Sequence, residues 1–195
     1  MSELEFRPAV QDDCADLALF ADMATRRLTS QLWALAANAG QSAFEVGRSI
    51  IRNDTQHFSH FSNWRVAQLD GTVVGAINTC ILQESAGPPQ PVPEILRGLN
   101  ALKALATGTC YLSAAALYPE HQGRGFGTAL INEAVSQSLI AKAEQLTLLV
   151  GSFNPRAHKL YLRCGFDEWA RHPFTAFPGS DSPGEWILMR KVLPT

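Results

Sequence analysis

Apolar and polar residues recur along this chain in two rhythms, a helical one and an alternating one, and the switches between them predict an ordered series of elements. Glu5–Pro8 predicts a short strand closed by a proline. Asp12 or Asp13 then suits the cap of a helix in which Leu17, Leu19, Phe20 and Met23 are spaced along one side. Residues 31–37 continue as helix up to a stop at Gly40. A further helix is expected over about 42–52, with Phe44, Val46 and Ile50 apolar. Trp64–Leu69 and residues 72–82 read as a hairpin around Asp70-Gly71, a strong two-residue turn signal. Val66, Val73, Val74, Ile77 and Ile81 supply its strand formers.

Residues 83–93 are rich in glycine and proline and predict a loop. Pro93 suits the first turn of a helix carrying Ile95, Leu96, Leu99, Leu102 and Leu105, stopped near Gly108. Residues 83–108 therefore read as a loop-and-helix insertion inside one domain, because strand material resumes at once with Cys110–Leu117. A helix is predicted from about 125 to 145, with Ile131, Val135 and Leu139 on one face, and a strand over 146–150. Asn154-Pro155 opens another helix, which Gly165 ends. Residues 166–177 and Glu185–Val192 predict the last strands. The order is mixed α+β: N-terminal helices, an antiparallel meander, then a strand–helix–strand–helix core, all within a single domain spanning 1–195.

Composition narrows the possibilities. A chain of 195 residues can bury a proper core. A net charge of −2 gives no basic footprint, so nucleic acid is not an expected partner. The opening MSELEFRPAV is acidic without an apolar run, which argues against a secretory signal. The longest uncharged stretches, residues 28–44 and 104–119, are shorter than a usual membrane span. No membrane association is expected, and a cytoplasmic location is. Cys14, Cys80, Cys110 and Cys164 lack any zinc-type spacing, so they read as small buried hydrophobes in a reducing compartment and no metal is implied.

The chemistry-bearing stretch is residues 111–128, YLSAAALYPEHQGRGFGT. A strand ends, a short loop follows, and Gln122-Gly123-Arg124-Gly125-Phe126-Gly127 leads into a helix. Three glycines within five residues are costly to order and need a reason. Close backbone approach is that reason: successive N–H groups turn toward one anion at a helix N-terminus, where the dipole is positive, and Arg124 adds a full charge. A phosphate or pyrophosphate is the natural occupant. A P-loop would need Lys-Ser/Thr after the last glycine, where Thr128-Ala129 stands, and a dinucleotide fingerprint would need its third glycine one residue later. Both nucleotide readings fit poorly.

A second block follows, with Asn154, Ala157, Leu160, Tyr161, Gly165 and Phe166 just after an apolar strand. Together the two blocks resemble the GNAT superfamily of N-acetyltransferases. Gln122, Gly125 and Gly127 match its pyrophosphate motif, and the second block matches its N…Ala…LY…GF segment; the close resemblance covers 111–166. It implies a mostly antiparallel sheet flanked by helices, with two central strands that splay apart around the pantetheine arm of acetyl-CoA. By that resemblance the main chain of Ala115, Ala116 and Leu117 meets the pantetheine, and Gln122, Gly123, Arg124, Gly125, Phe126, Gly127 and Thr128 hold the pyrophosphate. Asn154 matches a CoA-contacting asparagine and equally suits a helix cap before Pro155; one side chain can do both. Tyr161 matches the usual general acid toward the leaving thiolate, and a backbone N–H near Leu117 matches the oxyanion donor. A phenol titrates near 10 and a thiol near 8.5, so hydrogen-bond stabilisation, rather than full proton transfer, suits Tyr161 unless the site lowers its pKa.

The general base is not evident. Where many relatives carry a glutamate on the strand before the glycine loop, this chain has Ser113 and Ala114, and five residues before Asn154 it has Leu149. Ser113 or Tyr111 could hold a relaying water; Glu120 and His121 read as surface residues. Asp22, Arg26, Trp33, Trp169 and His172 are acceptor-pocket candidates, each better read as structural or solvated. The expected activity is transfer of acetyl from acetyl-CoA to a primary amine of a small molecule or peptide, by direct attack in a ternary complex. The family is compatible with a homodimer. The alternatives are a sensor of the same fold that binds acyl-CoA without turnover, and a nucleotide-dependent enzyme.

Overall fold

The computed structural model describes residues 4–84, 92–180 and 183–194. Among the described residues, seven strands and six α-helices follow one another as β1 (Glu5–Pro8), α1 (Cys14–Ala24), α2 (Leu28–Ala36), α3 (Ala43–Asn53), β2 (Trp64–Leu69), β3 (Thr72–Ile81), α4 (Glu94–Leu105), β4 (Cys110–Leu117), α5 (Phe126–Ile140), β5 (Gln145–Gly151), α6 (Pro155–Arg163), β6 (Asp167–Pro173) and β7 (Glu185–Val192). The strand order is β1-β2-β3-β4-β5-β7-β6. β1–β2, β2–β3, β5–β7 and β6–β7 pair antiparallel. β4 and β5 pair parallel over Cys110↔Leu146, Tyr111↔Thr147 and Leu112↔Leu148, while β4 runs on to Leu117. Among the described residues no helix is long and apolar enough to cross a membrane.

The chain forms two compact units, Met1–Thr79 with Ala114–Glu133, and Cys80–Ser113 with Ala134–Thr195. The boundaries fall inside β3, β4 and α5, so they do not separate the sequence into two consecutive pieces.

In the first unit, α1 and α3 supply Leu17, Phe20, Val46 and Ile51 to a core shared with Trp64, Val66, Ala76, Ala114 and Ala116. Ser42 and Glu45 cap α3 reciprocally, which fixes where that helix starts. Asp70 and Gly71 both take positive φ, the conformation of the tight turn expected between β2 and β3. Asp13 does not cap α1 with its side chain, contrary to expectation. Its carboxylate is taken by both guanidinium nitrogens of Arg7, at 2.7 and 2.8 Å, and by the Val10 N–H at 2.8 Å. The bond from Arg7, foremost, together with that from Val10, holds the Asp13 carboxyl below the usual carboxylate range, against the opposing effect of burial. A depressed folded-state pKa means stabilisation that is full above the unfolded value, about 3.9, and lost as pH falls through the folded one. The stability gap between the native chain and Asp13→Asn is therefore expected to be constant from pH 5 to 8 and to shrink below about pH 4. Urea melts of both proteins across that range measure it.

In the second unit, Leu146, Leu148, Val150, Ile187, Leu188 and Met189 are buried along β5 and β7. Thr109 and Thr147 bury a hydroxyl pair at 2.7 Å within this core. α4 packs on β6 and β7, burying Leu99 and Leu102, and His172 of β6 lies directly against Gly98, where a Cβ would come within 2.5 Å of its ring. Of the expected insertion, residues 85–91 lie outside the described residues and α4 is its helix.

Two boundaries differ from the sequence expectation. α5 ends at Ile140, not near 145, because Lys142 takes φ 55° and the Ala143 N–H bonds back to Ser138 O at 3.0 Å. That is the left-handed helix stop normally made by glycine. β6 ends at Pro173, and beyond it Phe174 packs its ring against Trp186, and Phe177 against Phe174, instead of extending the strand.

Candidate functional site

The glycine loop belongs to the first unit. One turn of 3-10 helix, Pro119–His121, turns the chain out of β4, and Gln122 returns to extended backbone. Gly123 and Gly125 then take φ of 80° and 87°. Both values lie in the left-handed region that other residues adopt at a cost of about 1–2 kcal/mol. Gln122 to Gly125 are exposed, and a Cβ placed on Gly125 would meet nothing within 4 Å. Gly125 is therefore not needed to fit the fold around itself. It is needed for its backbone conformation, and it leaves open space outside the loop. The loop delivers the chain into α5 at Phe126, whose first-turn N–H groups have no acceptor within the helix. Arg124 stacks its guanidinium over Phe126, 5.0 Å from the ring centroid, and lies 3.4 Å from His121 Nδ1. An exposed glycine loop, a helix N-terminus and one guanidinium are features whose charge suits an anion.

Contacts of two residues, Gln122 and Tyr118, that the sequence did not suggest hold this loop in register. The Gln122 Nε2 donates to Leu117 O at 2.9 Å, so the side chain of the motif glutamine ties the loop back to the end of β4. Tyr118 donates its N–H to Val74 O at 2.9 Å and its hydroxyl to the Asp16 carboxylate, and its ring lies 4.6 Å from Phe20. Burial, with Asp16 beside it, pushes the Tyr118 hydroxyl far up. Leu117 and Ala116 are buried and Ala115 is half-buried. The backbone carbonyl of Ala116 passes so near Gly75 that a Cβ there would come within 2.5 Å of it. Thr128 donates its N–H to Gly125 O at 3.3 Å, closing the first turn.

The second motif block belongs to the second unit. Asn154 Oδ1 accepts from the Ala157 N–H at 3.3 Å, so the capping role is realised, with Pro155 at the first helical position. Tyr161 sits on α6, half-buried, its ring 5.9 Å from Phe166. Phe166 and Cys164 donate their N–H groups to Tyr161 O, closing the helix through Gly165 at φ 82°. Burial, and then the neighbouring Cys164, pushes the Tyr161 hydroxyl up to about 12. Tyr111, buried on β4, has its own hydroxyl raised by burial and by Cys80 and Tyr161, so the two phenols share one neighbourhood. Ser113 is half-buried two residues further along β4.

The acceptor-pocket candidates have structural places. Trp33 is buried, lies 5.8 Å from the Phe44 ring and presses on Gly47. Asp22 accepts from the Ser30 N–H, bracing the turn between α1 and α2, in which Arg26 takes φ 51°. The Arg190 guanidinium covers the Trp169 ring at 5.0 Å, and His172 rests on Gly98. Sequence reasoning missed the ring cluster of Phe153, Phe174, Phe177 and Trp186, whose members come from three separate segments. It also missed the chain His158–Glu168–Arg171–Glu185, with contacts of 2.7–2.8 Å, which ties α6 to β6 and β7.

Comparison with known proteins bears on the family and the fold. The model of the Acetyltransferase (GNAT) family matches residues 29–166. A stretch of 51 residues is 47% identical to the spermidine N(1)-acetyltransferase of Vibrio cholerae serotype O1; it covers 26% of this chain and 30% of that protein. Among solved structures, an acetyltransferase of the GNAT family from Streptococcus pneumoniae aligns over 98% of this chain and 100% of its own, with a TM-score of 0.60 and 17% identity. The spermidine N-acetyltransferase from Vibrio cholerae in complex with CoA and spermine aligns over 97% and 95%, with a TM-score of 0.59 and 20% identity. At these identities the structural likeness speaks to the fold, which is the mostly antiparallel α+β arrangement expected from the motifs.

Proposed function

The chain belongs to the Acetyltransferase (GNAT) family, and from that premise we propose that it transfers an acetyl group from acetyl-CoA to a primary amine of a small molecule, with polyamines the first class to test. The observation that carries this reading is the exposed glycine loop at the start of α5. Two of its glycines take the left-handed conformation, and open space lies beside Gly125. The geometry suits a pyrophosphate, and Arg124 adds charge of the right sign. The polyamine choice rests on the 51-residue match to a spermidine N(1)-acetyltransferase.

In this proposal the N–H groups of Gly123, Gly125, Phe126 and Gly127 hold the CoA pyrophosphate, with Thr128, whose own N–H closes the turn to Gly125 O, beside them. Ala115, Ala116 and Leu117 offer main-chain groups to the pantetheine, and Asn154 offers the amide nitrogen that its capping bond leaves over. The acceptor amine attacks the thioester carbonyl. The Leu117 N–H steadies the oxygen on which charge develops, and Tyr161 steadies the departing thiolate. With the Tyr161 phenol near 12 and a thiol near 8.5, complete proton transfer would be uphill by roughly 5 kcal/mol, so Tyr161 acts mainly as a hydrogen-bond donor. Ser113 suits a water in this neighbourhood.

The test is incubation of the purified protein with acetyl-CoA and a set of amines: spermidine, spermine, amino acids, aminoglycosides and short peptides. Mass spectrometry is expected to find monoacetylated polyamine and stoichiometric free CoA. Acetyl-CoA bound by calorimetry with no acetylated product from any amine would favour the sensor reading. Failure to bind CoA at all would remove both.

A further inference from the structure

The two strands that lead into the motif blocks, β4 (CYLSAAAL) and β5 (QLTLLVG), contain no carboxylate. The acceptor of an N-acetyl transfer arrives as an ammonium with a pKa near 10 and must lose a proton before it can attack. The second unit does hold another basic group in the right neighbourhood. Lys103, on the helix that the insertion adds, places its Nζ 5.1 Å from the ring centroid of Tyr111. Tyr111 in turn shares electrostatic surroundings with Tyr161, the side chain assigned to the leaving thiolate. Cys80 from β3 completes the cluster, acting on both Lys103 and Tyr111. His172 of β6 contacts the same helix at Gly98, more than one turn away.

We propose that Lys103 is the proton acceptor of the transfer, taking the proton from the acceptor ammonium while the Tyr111 ring holds its amine in place. This rests on the acetyltransferase reading above and supplies the base that reading lacks. The step is R–NH3⁺ plus Lys103–NH2 giving R–NH2 plus Lys103–NH3⁺. The free amine then forms the new N–C bond as the C–S bond breaks. The second amine proton leaves the new amide nitrogen as the tetrahedral centre collapses and neutralises the CoA thiolate, which Tyr161 steadies by a hydrogen bond, and Lys103 returns its proton to solvent. Burial lowers the Lys103 ammonium below the usual lysine range, which favours its neutral, proton-accepting form. An incoming second cation presses the same way, since two ammonium groups side by side favour losing one proton.

Lys103→Arg and Lys103→Met separate this role from a packing role. Arginine keeps a cation over the ring but does not deprotonate; methionine keeps most of the stem. Both variants are expected to lower kcat/KM for spermidine about 100-fold at pH 7, with acetyl-CoA affinity unchanged by calorimetry. Both defects are expected to shrink toward pH 9.5, where the acceptor amine supplies its own neutral form. Full activity in Lys103→Arg would overturn the proposal, because a cation that only braces Tyr111 is preserved there. A second measurement does not depend on turnover: the Lys103 ε-carbon resonance of 13C-lysine-labelled protein followed against pH. A midpoint below the ordinary 10.4 is expected; one at or above it removes Lys103 as the base. Native protein that binds acetyl-CoA, acetylates nothing and yet shows the lowered midpoint would count against the acetyltransferase reading, and with it this one.

Discussion

Tyr161→Phe is expected to cut kcat for amine acetylation by roughly 10²–10⁴-fold while leaving acetyl-CoA affinity within a few-fold. The ring is half-buried and lies beside Phe166, and phenylalanine preserves that packing. Only the hydroxyl is removed, and the helix around it is closed by bonds that the substitution leaves alone: the Cys164 and Phe166 N–H groups donate to Tyr161 O, and at the other end the Ala157 N–H donates to Asn154 Oδ1. The loss should therefore fall on the charge that develops at sulfur, which is a transition-state effect that lowers kcat without raising KM. The pH dependence sharpens the test. Burial places the phenol near 12, so it stays protonated throughout the working range. The native enzyme should show no alkaline fall in kcat from this group below about pH 11, and the ratio of native to variant kcat should be flat from pH 6 to 9.5. Steady-state kinetics at saturating acceptor measure both. A variant with native kcat would mean that the thiolate leaves without help from Tyr161.

Much of this fold was legible because its signals are local. The strands Glu5–Pro8, Trp64–Leu69, Cys110–Leu117 and Glu185–Val192 fall at the residues the alternating pattern gave them. Asp70-Gly71 makes the turn its dipeptide predicts. The errors share a cause. The stop after Ile140 is made by Lys142 and the break before α2 by Arg26 and Arg27, three ordinary long side chains in the left-handed conformation. Tertiary context imposes that conformation, and no glycine announces it. The site divides the same way. Gly123, Gly125, Asn154 and Tyr161 stand in recognisable spacing, so the motif blocks were visible. The partners that set their surroundings were not. Asp16 meets Tyr118 across 102 positions, and Lys103 reaches Tyr111 only because α4 folds back onto the unit that holds β4's first half. Such pairings come from packing, which a linear pattern does not encode.

Gly125→Val is expected to weaken acetyl-CoA binding by about 100-fold and to leave the fold intact. The argument turns on the direction in which this residue faces. At Gly47 or Gly75 a new Cβ would come within 2.5 Å of a buried ring or a backbone oxygen, and the penalty would be paid in folding. At Gly125 a Cβ meets nothing within 4 Å, so no part of the chain is displaced. Two effects remain. A β-branched residue at φ 87° is strained by about 1–2 kcal/mol, which tilts the loop toward conformations with its N–H groups turned away. The side chain also occupies the open space beside the loop, costing at least one charge-assisted bond to the pyrophosphate, about 1.5–3 kcal/mol. Together these come to about 3 kcal/mol or a little more, which corresponds to two decades in affinity. Gly40→Val is the control, since that glycine also has positive φ and open space but lies outside the motif. Calorimetric titration with CoA and a thermal melt of each variant decide the matter. If both variants lose a little stability and only Gly125→Val loses CoA, the loop is the pyrophosphate cradle. If Gly125→Val binds CoA as the native chain does, the anion is held elsewhere, and the left-handed glycines of this loop serve only to turn the chain into α5.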